Sequence, residues 1–147
     1  MWGRRGTIVE MVNSGENSAY LPGVELSSRI TATTDLKSAV TGASAVVLAV
    51  PVGVTGEIVE AAVAHAPEAP FVSLSKGIEP GTMRTVSQLI AGAGNLPPSQ
   101  IVAISGPNLS MEIAMRQPTA AVVASEDVET AKQIARACHN EYFRPYV

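Results

Sequence analysis

The sequence predicts an α/β domain, doubly wound around a mostly parallel sheet, and three observations carry that expectation. Short apolar runs of strand length alternate with amphipathic segments of helix length along the chain. Two of the runs, Phe71–Ser75 and Ile101–Ser105, are apolar almost throughout, as strands covered on both faces are, and both stop at glycine-containing exits. Aromatic residues are only 4% of the chain while Ala, Val and Gly abound, which suits thin strands under closely packed helices better than a sandwich with large side chains.

Composition bounds the rest. At 147 residues the chain is long enough for one domain with a real core. With 46% hydrophobic and 16% charged residues it reads as a globular protein, not a disordered one. A net charge of -3, spread without a basic block, gives no reason to expect nucleic acid as a partner. The longest apolar stretch, Ala43–Val52, is about half of the ~20 residues a membrane helix needs, and no signal peptide is visible. A cytoplasmic location that does not involve a membrane is therefore expected. Cys138, the only cysteine, excludes an intrachain disulfide and reads as core filling. His65 and His139 have no ligand partners at metal-binding spacing, so no metal is expected.

Taken in order, the segment Gly6–Asn13 has Ile8, Val9 and Val12 at helical spacing, and Tyr20-Leu21-Pro22-Gly23 marks a turn. Arg29–Thr33 is a β-branched run suited to a strand, and Asp35 is placed to cap a helix through Leu36, Ala39 and Val40. Ala45–Val50, apolar throughout, predicts a central strand that Pro51 ends. Gly53–His65 predicts a helix, Phe71–Ser75 a strand, and a further helix begins at Thr82 and runs through Val86, Leu89 and Ile90. Ile101–Ser105 is the next strand. Pro107 suits the first turn of a helix in which Met111 and Met115 pack. Thr119–Ala124, Glu126–Asn140 and Phe143–Tyr146 complete the pattern as strand, helix and strand.

Lys76 stands at the carboxyl end of its strand, where open α/β sheets bind ligands, and so points a cation at an anion. Gly106 and the backbone N–H groups after it provide a second anion or oxygen site beside it. A solvated lysine at a strand end explains Lys76 about as well from spacing alone. There is no Gly-x-Gly-x-x-Gly after a strand, and no serine lies in a nucleophile-elbow context.

A set of motifs now adds to this pattern. Trp2-Gly3-Arg4-Arg5, Asn17 with Tyr20-Leu21-Pro22-Gly23, Ala49-Val50-Pro51, Leu74-Ser75-Lys76-Gly77-Ile78-Glu79, Ser105-Gly106-Pro107-Asn108 and Phe143-Arg144-x-Tyr146 occur in this order. Together they resemble the bacterial NAD(P)-dependent glycerol-3-phosphate dehydrogenases over essentially the whole chain. The resemblance implies a Rossmann-like fold, incomplete at its N-terminal strand. Residues 1–141 would form a partial NAD(P)-binding domain and residues 142–147 the start of the connection to a helical substrate domain.

It further implies reversible NAD(P)H-dependent reduction of dihydroxyacetone phosphate to sn-glycerol 3-phosphate for phospholipid synthesis. Cofactor-binding positions fall on Trp2, Arg4, Arg5, Lys76 and Ser110, the last standing where alanine is usual. Substrate-binding positions fall on Lys76, Gly106 and Asn108. The arginine pair favours NADPH, with NAD also possible, because arginine accommodates a 2′-phosphate. No catalytic residue is expected in the chain, since the family's proton-transferring lysine belongs to the helical domain; little or no turnover is expected from the chain alone. Possible homodimerisation, a non-catalytic binding or oligomerising module and another two-domain NAD(P)-dependent reductase are the remaining expectations.

Overall fold

A computed structural model describes all residues, Met1–Val147. A five-stranded sheet is built in the spatial order β1 (Val46–Leu48), β2 (Phe71–Ser73), β3 (Ile101–Ser105), β4 (Thr119–Ala124) and β5 (Phe143–Tyr146). β1, β2 and β3 are mutually parallel; β4 runs antiparallel to β3, and β5 parallel to β4. The reversal has a local cause. Between β3 and β4 the chain forms only the five-residue helix α5 (Ser110–Ala114). At ~1.5 Å per residue such a helix spans less than half of a five-residue strand, too short to carry the chain back down the sheet.

Helices cover both faces, as a doubly wound sheet requires. The period-two alternation of β2 sends Phe71 to one face and Val72 to the other. On the first face α2 (Leu36–Val40), α3 (Val52–Val63) and α4 (Val86–Gly94) enclose Val46, Leu48, Val59, Phe71, Ile90 and Ile101. On the second, α6 (Val128–Cys138) sets Ala131, Ile134 and Ala135 against Val72, Val102 and Val123. Cys138 packs beside this second core, and burial pushes its thiol pKa up. Asp127 caps α6 by accepting from the backbone of Glu129 and Thr130.

The helix α1 (Gly6–Asn13) forms where its periodicity places it. Three other segments depart from expectation. Arg29–Thr33 forms no strand. Its only ladder contact is the bridge between Trp2 and Thr33, and Asn13 satisfies Ala32 instead, donating to its carbonyl at 3.0 Å and accepting from its N–H at 2.7 Å. The helix expected from Thr82 starts at Val86, under a capping box of Thr85 and Gln88. Residues 78–85 instead fold back on themselves: Ile78 bridges Thr85 antiparallel, Glu79 N–H donates to the Arg84 carbonyl at 2.9 Å, and the Glu79 carboxylate accepts from the Arg84 guanidinium at 2.8 Å and from the Thr82 hydroxyl. Met83, with φ at 58°, and Gly81, with φ at 88°, make that reversal and are incompatible with a helix there. Met115 is 57% exposed, so it does not pack as its spacing suggests.

The Glu79 clamp predicts an acid response. The Arg84 hydrogen bond, then that from Thr82, hold the carboxyl below its ordinary value of 4.5. A depressed folded pKa stabilises above the unfolded value, and that contribution is lost as the pH falls through the folded one. Backbone amide protection at Glu79 and Arg84, read as exchange relative to the unstructured rate at each pH, is therefore expected to fall as the pH drops below 4.5, and Glu79→Gln is expected to abolish that local dependence.

The two edges of the sheet differ. β5 carries Arg144 and Pro145, which discourage further pairing. β1 carries neither a charge nor a proline and pairs only with β2, leaving Val47 57% exposed. Beside this open edge lies a wholly apolar slot whose walls include Met1, Trp2, Leu36, Val46, Val47 and Leu48.

Candidate functional site

The carboxyl ends of β1, β2 and β3 lie side by side because the strands are parallel and adjacent in sequence order. Backbone pairing between β1 and β2 runs out at Leu74, whose N–H donates to the Leu48 carbonyl at 3.0 Å. Beyond it the chain turns outward into Ser75, Lys76 and Gly77, the last with φ at 103°. From there Lys76 reaches the exit of the next strand, its ammonium donating to the Gly106 carbonyl at 3.0 Å. One N–H of the ammonium is thus engaged and two remain for a ligand.

Lys76, Gly106, Asn108 and Ser110 line one cavity of about 450 Å³, with Ser105 among them and an apolar wall of Val72, Leu74, Ile104 and Ile134. Asn108 Oδ1 is buried without a hydrogen-bond partner, so an acceptor stands ready at the same cavity. The expected helix start at Pro107 is displaced: α5 begins at Ser110, capped by Leu109 without a side-chain hydrogen bond. It is the carbonyl of Gly106, not an N–H, that meets Lys76.

Gly106 also has a packing reason to be glycine. A Cβ there would lie 2.8 Å from the Ala120 carbonyl oxygen and 3.1 Å from the Ala121 Cα, both backbone atoms of β4. Gly106→Ala is expected to cost about 1–3 kcal/mol through this overpacking, lowering Tm by roughly 3–10 °C in a thermal melt. Gly53→Ala, in α3 with nothing within 4 Å of its added Cβ, is the matched control. It is expected to leave Tm unchanged or raise it.

Trp2, Arg4 and Arg5 meet at a second cleft, of about 460 Å³, walled by Ile8, Ala49, Val50, Pro51 and Val54. Trp2 is held by its bridge to Thr33 and by its indole N–H, which donates to the Thr34 carbonyl at 3.0 Å. Arg4 and Arg5 are exposed and neither is in an ion pair, although Glu57 shares the cleft. The Arg5 guanidinium donates to the Tyr20 hydroxyl at 3.4 Å. Tyr20 received no site role from the sequence, although it opens the Tyr20-Leu21-Pro22-Gly23 motif. The seven candidate residues therefore fall into two groups, one at the exits of β2 and β3 and one at the exit of β1.

Helices on both faces of a largely parallel sheet, with cationic and hydrogen-bonding groups gathered at the strand exits, define a dinucleotide-binding domain of Rossmann type. A sequence-family model described as NAD-dependent glycerol-3-phosphate dehydrogenase N-terminus matches residues 1–131. The chain belongs to that family. It is 47% identical over 148 aligned residues to the glycerol-3-phosphate dehydrogenase [NAD(P)+] of Thermobifida fusca and 42% identical to that of Streptomyces griseus, in each case over 99% of this chain and 44% of the relative. The chain thus spans less than half the length of the curated relatives it matches. The crystal structure of glycerol-3-phosphate dehydrogenase from Coxiella burnetii superposes with a TM-score of 0.89 at 26% identity, covering 99% of this chain and 44% of that one. A GDP-mannose dehydrogenase from Pseudomonas aeruginosa, 16% identical with a TM-score of 0.71, shares the fold alone.

Proposed function

We propose that this chain is the cofactor-binding part of an enzyme that moves hydride reversibly between a nicotinamide cofactor and carbon 2 of dihydroxyacetone phosphate, giving sn-glycerol 3-phosphate for phospholipid synthesis in the cytoplasm. Family membership supports the reading, and one arrangement carries it: the Lys76 ammonium, with free N–H groups, beside the unpartnered Asn108 acceptor in a single cavity. Such a pair suits a small ligand that offers both an anionic or carbonyl oxygen and a hydroxyl. In this reading Lys76, Gly106 and Asn108 hold the substrate, and Lys76 and Ser110 also face the cofactor.

The residues at the second cleft fit the adenosine end of a phosphorylated cofactor. Arg4 and Arg5 are exposed and unpaired, and a 2′-phosphate would find two guanidinium groups there beside the Trp2 ring. The cofactor supplies the hydride; the chain supplies binding and orientation. Residues 1–141 form the cofactor-binding part and 142–147 lead toward the substrate part. The proton-transferring lysine is assigned to the portion of the relatives that this chain does not span, so little or no turnover is expected from the 147 residues alone. Thermal unfolding with NADPH and with NADH tests the assignment. NADPH is expected to raise Tm more than NADH, and the Arg4→Ala/Arg5→Ala double variant to remove the difference. Equal shifts with both cofactors in the unaltered chain would overturn the preference, and no shift with either would overturn the site.

A second reading rests on the open edge of β1. Val46–Leu48, unpaired on one side and next to an apolar slot, is suited to pair with a second copy of the chain. Sedimentation is expected to reveal dimers that Val47→Lys converts to monomers. A monomer in the unaltered chain at concentrations up to the solubility limit would exclude this association.

A further inference from the structure

The two clefts are joined by one side chain that neither of them needs for contact with a ligand. Past Leu48 and Leu74 no backbone hydrogen bond links the exits of β1 and β2. The Ser75 hydroxyl makes the connection instead, donating to the Val50 carbonyl at 2.7 Å across 25 residues of sequence. Its backbone is held from below as well, because the Ser75 N–H donates to the hydroxyl of the buried Ser73 at 3.2 Å. Val50 and Pro51 form the wall of the arginine cleft, and Lys76, the next residue along, reaches Gly106 across the other cavity. The chain from the first cleft to the second is therefore Val50 carbonyl, Ser75 hydroxyl, Lys76 ammonium and Gly106 carbonyl.

We propose that Ser75 is a positioning residue that couples the two clefts: it fixes the backbone from which Lys76 is aimed and, through the same hydroxyl, fixes the Val50–Pro51 wall beside Arg4 and Arg5. The proposal rests on the reading of these clefts as cofactor and substrate half-sites. Its physical basis is that a single bond, in a partly buried position, holds two otherwise unconnected strand exits in register. A ligand that orders one exit therefore orders the other, and the coupling is reciprocal.

Two measurements on the 147-residue chain separate this proposal from the functional reading. The first needs no ligand: competitive acylation of the lysines, read by mass spectrometry, with Lys37 and Lys132 as internal references. Ser75→Ala is expected to raise the relative labelling of Lys76 about threefold, since acylation takes place on the neutral amine and that amine is more accessible once the side chain is no longer held to the Gly106 carbonyl, whereas Ser75→Thr, which keeps the hydroxyl, is expected to label as the unaltered chain does. The second is the affinity for NADPH with and without dihydroxyacetone phosphate. The unaltered chain and Ser75→Thr are expected to show each ligand tightening the other by ~5-fold or more, and Ser75→Ala to reduce that factor to about one while each ligand still binds alone.

Unchanged Lys76 labelling in Ser75→Ala overturns the positioning role whatever its melting temperature, because a merely structural serine would lower Tm without redirecting the lysine. Binding of both ligands without coupling in the unaltered chain also overturns it. If the unaltered chain binds neither ligand, the half-site reading fails and the labelling comparison still decides the positioning of Lys76. Should Ser75→Ala not fold, Ser75→Cys, nearly isosteric but only a weak donor, is read by the same labelling and carries the same expectation.

Discussion

Phe71→Ala is expected to remove from roughly a fifth to the whole of the chain's stability. Phe71 is 0% exposed in the first strand-to-helix core, packed among Leu48, Val59, Ile90 and Ile101. Replacing a buried phenylalanine by alanine removes the apolar contact and leaves a cavity, together costing about 3–5 kcal/mol. A domain of this size holds a margin of only ~5–15 kcal/mol. The neighbours cannot close the gap cheaply, since Phe71 lies between its register partners Val46 and Ile101 in the sheet and its backbone is fixed from two sides. Urea denaturation should show a midpoint reduced by roughly a fifth or more, or no cooperative transition. Val122→Ala, on a solvent-facing position of β4, should stay within ~0.5 kcal/mol of the unaltered chain. A Phe71→Ala midpoint within error of the unaltered one would refute the placement of the core.

Under the proposed substrate site, Lys76→Ala is expected to weaken binding of dihydroxyacetone phosphate by roughly 10–150-fold with little change in stability. A hydrogen bond from a charged group contributes about 1.5–3 kcal/mol, which converts to that range of affinity. Stability is spared because the Gly106 carbonyl that loses its donor lies at a partly open strand exit, where water replaces the ammonium. Lys76→Arg is not expected to restore affinity, because the planar guanidinium presents a rigid fork of donors in place of a compact ammonium that meets the Gly106 carbonyl. Lys132→Ala is the control: that lysine is paired with Glu129 on the outer surface of α6, and its loss should leave affinity unchanged. Calorimetric titration of the three variants checks the series. Equal affinity in Lys76→Ala and the unaltered chain would remove Lys76 from the site.

Much of the frame is legible in the residues themselves. The apolar runs at 46–48, 71–73 and 101–105 are strands because they are apolar on both faces; 71–73 is covered on both, while Val47 of 46–48 stays 57% exposed. The amphipathic pattern of 128–138 places Ala131, Ile134 and Ala135 inward as their spacing requires. Two of the misreadings originate in side chains that capture groups a ladder or helix would otherwise have held. Asn13 reaches Ala32 and takes the place of a ladder partner, so 29–33 is not a strand. Glu79 gathers Thr82 and Arg84 into a reversal, and the helix starts four residues later than Thr82, at Val86.

The candidate residues divide in the same way. The resemblance picked out Trp2, Arg4, Arg5, Lys76, Gly106, Asn108 and Ser110 as single positions, and folding sorts them into two clefts. Tyr20 joins the arginine group only through its hydroxyl contact with Arg5, 15 residues away. The backbone clash that makes Gly106 glycine comes from β4, which spacing does not bring near.

By itself the sequence determined most of the elements, the two-faced sheet and the family, because apolar periodicity, strand-end glycines and contiguous motifs are local properties of the chain. Only the tertiary structure decided the reversed direction of β4, the meeting of Lys76 with Gly106 across 30 residues and the tie from Ser75 to Val50. Those contacts depend on which strand exits become neighbours when the sheet assembles, a consequence of packing the whole core and not of any stretch within it.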